Sequence, residues 1–98
     1  MPYITQLARL RLNSIISAFA NLDGNTTAGE LNFLITQLIS QYLIAKGLNY
    51  DAINEVRGAL ENCTSEFYRR IAVPYEKTKI RDNGDVDGYA DLLRLIDS

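Results

Sequence analysis

Between positions 68 and 81 the sequence sets five cations, Arg69, Arg70, Lys77, Lys79 and Arg81, beside two tyrosines, Tyr68 and Tyr75, with one acid, Glu76, among them. These residue types hold phosphate-bearing ligands. An arginine presents a planar fork to two phosphate oxygens at once, a lysine is a mobile point charge, and a tyrosine ring offers a face for a base to stack on. The candidate ligand-binding set is therefore Tyr68, Arg69, Arg70, Tyr75, Lys77 and Lys79. The same residues also read as a solvated helix face, since Glu66 stands four positions before Arg70 and Glu76 can take another charge. A small anion fits the segment better than a long nucleic acid. The basic stretch is short, and the whole chain carries a formal charge of −2.

Two further constellations carry less. In NGDVDGYAD, from Asn83 to Asp91, oxygen-bearing side chains occupy positions 1, 3, 5 and 9 of a calcium loop, with glycine at 6. The pattern then fails, because Arg94 stands at position 12, where a bidentate carboxylate belongs. A capped turn between helices accounts for the segment better. Glu30, Asn32, Thr36, Asn54, Glu55 and Glu61 form a set of polar residues inside helical segments; capping and inter-helix hydrogen bonds explain them without a metal. The chain has no histidine. That removes the Ser-His-Asp arrangement and most zinc sites, and it leaves Cys63 without a base. The expectation is no catalytic residue, no metal ligand and no cofactor, with Cys63 a structural thiol on an apolar helix face.

The elements that must position these groups are helical. Ile53, Val56, Leu60, Cys63, Phe67 and Ile71 recur every three or four residues and predict a long helix over about 50–81. Pro74 lies inside it and predicts a kink, after which the helix resumes to a stop at Asn83-Gly84. On the other side of this helix the small residues Gly58, Ser65 and Ala72 are spaced by seven, a seam that lets a second helix or a subunit come close or leaves a groove that admits a ligand. A first helix is expected over about 5–22, and Asp23-Gly24-Asn25 breaks it. Thr27 and Glu30 form a capping box for a second helix over about 27–45, which Lys46-Gly47 closes. Pro2 suits a first turn, Asn49 caps the long helix, and a last helix is expected over about 88–97. The fold class is all-α: a small three- to four-helix bundle with a long, Pro-kinked third helix, assembled as an oligomer because much apolar surface is left to cover.

Ninety-eight residues with 47% hydrophobic content make one domain, 1–98. No apolar run is long enough to span a bilayer, Arg9 and Arg11 interrupt the N-terminal apolar segment, and one cysteine suits a reducing cytosol. The expectation is a cytoplasmic protein that does not engage membranes.

The phrases MPYITQ, GELNFLITQLISQYL, GLNYDAINEVRGALE, EFYRRIAVPYEKTKI and NGDV resemble a family of short uncharacterised proteins found in phage genomes, prophages and environmental sequence. Its shared pattern runs GELNY, INEV-G-LE, YRR--PYE--KI and NGDV. The resemblance covers about residues 1–86, and the tail from Asp87 to Ser98 is an extension. It implies a setting, the cytoplasm of a bacterial host, and a mode of action, since small phage proteins commonly act by binding. The reading that joins setting and residues is a non-catalytic protein that sequesters a small phosphate-containing nucleotide signal in an anti-defence role, working as a homo-oligomer. Two rivals stand beside it: a helical adaptor or inhibitor of a host protein, and a Mg-dependent nucleotide hydrolase using Glu30, Glu55 or Glu61.

Overall fold

The computed structural model describes residues 4–97, and every regular element among them is helical. The order is α1 (Gln6–Arg11), α2 (Asn13–Ser17), a 3₁₀ turn (Ala18–Asn21), α3 (Ala28–Lys46), α4 (Tyr50–Phe67), a π turn (Tyr68–Ala72), α5 (Val73–Asn83) and α6 (Asp87–Asp97). Pro2 lies outside the described residues. The chain divides into two compact units, Met1–Glu61 and Asn62–Ser98.

The single first helix expected over 5–22 is broken. Thr5 caps α1, its hydroxyl accepting the Ala8 N–H at 3.1 Å. Leu12 then sits at the edge of the helical region, at φ −89° and ψ −2°, and its carbonyl takes the N–H of both Ile15 and Ile16 at 3.1 Å. The Ser17 hydroxyl bonds back to the Asn13 carbonyl at 2.8 Å, a contact that bends short helices. The last turn tightens to 3₁₀ and ends where Leu22 becomes extended, at ψ 132°.

The capping box forms at α3. The Thr27 hydroxyl accepts the Glu30 N–H at 3.1 Å, and the Glu30 carboxylate accepts the Thr27 N–H at 2.8 Å; such a cap contributes about 1 kcal/mol. At the other end Gly47 has φ 95° and ψ 149°, with its N–H donating to the Leu43 carbonyl at 2.8 Å. Two residues later Asn49 accepts the Ala52 N–H at 2.9 Å and starts α4.

From residue 50 to residue 83 the helix is unbroken but not uniform. The Val73 N–H donates to the carbonyl of Tyr68, five residues back, and Pro74 follows at the start of α5. Pro74 has no N–H, and in an α-helix its ring would crowd the Arg70 carbonyl. Widening the turn before it to i→i+5 avoids that contact, so the helix passes the proline through a π turn. The run ends at Gly84, φ 85°, whose N–H reaches the Ile80 carbonyl at 2.8 Å.

Splitting the first helix makes five helical runs among the described residues, where three or four helices were expected. Among the described residues, the elements that touch within each unit are chain neighbours, and Ala52 alone is buried. Leu7, Leu38, Ile44, Leu95 and Ile96 are each 66% exposed or more. Cys63, expected in an interior, is exposed. No helix of the described residues is long and apolar enough to cross a membrane.

Candidate functional site

The six candidate ligand residues lie in the π turn and α5, all within the unit Asn62–Ser98. Arg69 and Arg70 are held by one acid. Glu66, in the last turn of α4, takes the Arg69 guanidinium at 2.5 Å on one oxygen and the Arg70 guanidinium at 2.9 Å on the other. The two arginine side chains remain 66% and 57% exposed while the Glu66 side chain is 20% exposed. The carboxylate is therefore more sheltered than the two forks it holds. The expected Glu66–Arg70 pair is present, with Arg69 added to it.

Four residues apart on α5, Tyr75 and Lys79 share a face. The Lys79 ammonium stands 5.4 Å from the centre of the Tyr75 ring, a cation–π contact with both groups exposed. Lys77 is two residues from each and projects from another side of the helix. Tyr68 opens the π turn with its ring exposed. The turn departs from the 3.6-residue period between Tyr68 and Tyr75. What the structure brings together is one arginine pair on an acid and one tyrosine–lysine pair.

The small-residue seam divides between the units, Gly58 in the first and Ser65 and Ala72 in the second. A Cβ added at Gly58 would meet nothing within 4 Å among the described residues. Within the 83–91 segment only residues 84–86 lie outside helices. Asp85 accepts the N–H of Val86 at 2.8 Å, Asp87 begins α6, and Asp91 is paired with Arg94, the residue that replaces the last calcium ligand. No group of three or more His, Cys, Asp or Glu able to hold a metal occurs among the described residues.

One contact escaped the sequence reading. The Tyr42 hydroxyl donates to Glu55 at 3.1 Å and ties α3 to α4. A tyrosine on α3 and a glutamate thirteen residues on give no local signal; only the turn at Gly47 brings them face to face. Partial burial of the phenol, then the hydrogen bond and charge of Glu55, raise the Tyr42 pKa above its ordinary value. The neutral phenol is the favoured form, so this link is fully present below the ordinary phenol pKa of about 10 and is lost as pH rises through the higher folded value. Tyr42→Phe is expected to lower stability at neutral pH and to remove part of the alkaline destabilisation, as read by urea unfolding across pH. Glu55→Gln should bring the Tyr42 phenolate absorbance step to lower pH.

No characterised protein and no solved structure matches the chain. A family model does match, over residues 1–86, and it stops where α6 is about to begin. Over its length up to Val86, covering the capped α3, the long helix, the π turn and the arginine pair, the chain belongs to the DUF6899 family, a domain of unknown function.

Proposed function

We propose that this is a non-catalytic binding protein that takes a small phosphate-containing nucleotide on the surface formed by Tyr68, Arg69, Arg70, Tyr75, Lys77 and Lys79. The observation that carries the reading is the arginine pair. Two guanidinium forks are exposed side by side and are held in place by Glu66, an arrangement suited to bidentate contact with phosphate oxygens. Exposed aromatic rings at Tyr68 and Tyr75 lie in the same unit and supply stacking faces for a base. Sequestration needs affinity and no general base, which agrees with a chain without histidine. We place this activity in the cytoplasm of a bacterial host, as the resemblance to phage proteins implies, and in a homo-oligomer. Self-association would cover the apolar residues that the chain leaves in water.

A thermal-shift screen against nucleotides, cyclic di- and trinucleotides and ADP-ribose derivatives tests it. The expected result is stabilisation by one phosphate-bearing class, with Arg70→Ala weakening the apparent Kd by about tenfold and no product formed on prolonged incubation. Product formation would replace sequestration by hydrolysis. Absence of any shift would overturn nucleotide binding and favour the second reading, a helical adaptor for a host protein, which rests on the same exposed apolar residues.

A further inference from the structure

The most apolar helix in the chain is α3, and its exposed side has a symmetry that points to a partner. Between Glu30 and Lys46 it carries no charge. Apolar residues spread around it, the pattern of a helix buried on several sides, yet most of its large side chains are exposed, Tyr42 keeping its hydroxyl bond to Glu55. Within Met1–Glu61 its more sheltered positions are Ile39 and Leu43. About a third of a turn away runs a second stripe, Leu31, Leu34, Leu38, Tyr42 and Ala45, all exposed. Leu38, at its centre, is 66% exposed, with Leu31 at 51% and Leu34 at 44%. The intervals along this stripe are three, four, four and three, so it reads the same in both directions about Leu38. The two flanking charges are centred on the same residue, with Glu30 eight positions before Leu38 and Lys46 eight after.

We infer that α3 is a self-recognition surface that pairs antiparallel with α3 of a second copy, about a two-fold axis at Leu38. This rests on the self-association proposed above and names its surface. A two-fold interface is isologous, so residue i meets j and j meets i. The antiparallel register sets Leu38 against Leu38, Leu34 against Tyr42 and Leu31 against Ala45. It also brings the acidic end of each helix level with the basic end of the other and opposes the two helix dipoles. A parallel pair would level Glu30 with Glu30 and Lys46 with Lys46, like charges at both ends. That charge arrangement and the palindromic stripe select a second copy of this chain, in one direction, as the occupant.

The test uses the full chain with Cys63→Ser, which removes its one cysteine. Single variants Leu38→Cys, Leu31→Cys and Ala45→Cys are treated with a short bis-maleimide, and sedimentation records the assembly state of each. Helical content by circular dichroism confirms folding. Leu38→Cys is expected to give at least about tenfold more covalent dimer than Leu31→Cys or Ala45→Cys alone, through the high effective concentration at the axis. Mixing the Leu31→Cys and Ala45→Cys chains should restore cross-linking, a readout that leaves Leu38 untouched. Efficient cross-linking of Leu31→Cys with itself would overturn the antiparallel register. An assembled protein that cross-links at none of these positions would overturn the α3 surface while leaving self-association intact, whereas a monomer in sedimentation would overturn both.

Discussion

Pro74→Ala is expected to stabilise the protein by about 2 kcal/mol. Proline in a helix interior costs about 3 kcal/mol relative to alanine, through the missing N–H and the ring clash with the carbonyl four residues back. The π turn at Tyr68–Ala72 has already relieved the clash, so the recovery falls short of the full difference. Alanine supplies the donor and lets the ladder return to i→i+4 through residues 68–74. Urea unfolding at a fixed protein concentration measures the gain. The substitution has a second consequence for the site. Closing the π turn rotates α5 by about a quarter turn relative to the end of α4, and with it Tyr75 and Lys79 relative to the pair on Glu66. A variant that is more stable yet binds nucleotide more weakly, with no polar group removed, would show that the wide turn sets the ligand geometry. Unchanged stability would mean that the π turn does not originate in the proline.

Gly47→Ala is expected to cost about 2 kcal/mol. Gly47 joins α3 to α4 at φ 95° and ψ 149°, a region open in practice to glycine alone, where other residues pay about 1–3 kcal/mol. Space is not the obstacle, since an added Cβ would come no closer than 3.5 Å to the Asn49 side chain. The cost is backbone strain, and the alternative is to move the turn, which would separate the Gly47 N–H from the Leu43 carbonyl and Tyr42 from Glu55. The same urea measurement reads it. A loss within the scatter of ordinary surface substitutions would show that the turn can be re-formed at another residue.

The local grammar of this chain was legible where one or two residues decide an end. Thr27 with Glu30, Lys46 with Gly47, Asn49, and Asn83 with Gly84 each announce a helix boundary through a specific hydrogen bond or a positive φ, and the structure makes those bonds. The break at Leu12 carries no such mark. Asn13, Ser14 and Ser17 after it are weaker helix formers, but no single residue marks the break, and the change to short helices and a 3₁₀ turn shows only in the backbone angles. Pro74 signalled a disturbance but not its form. A proline can end a helix, kink it or widen a turn, and only the hydrogen bond from Val73 to Tyr68 decides. At the candidate site the composition found the charges. Their grouping depended on that turn, and the sharing of Glu66 by two arginines depended on the rotamers of three long side chains.

The shared carboxylate at Glu66 sets a threshold on what the arginine pair can prefer. A visiting monoanion offers the two guanidinium groups about what the resident acid already gives them, so it has little to gain by competing. A group with two or more negative charges outbids a single carboxylate, and finds the forks already ordered instead of having to gather them from free rotation. In the proposed binding role the acid would thereby discriminate by valence, favouring a phosphate over chloride, acetate or an exposed acidic side chain.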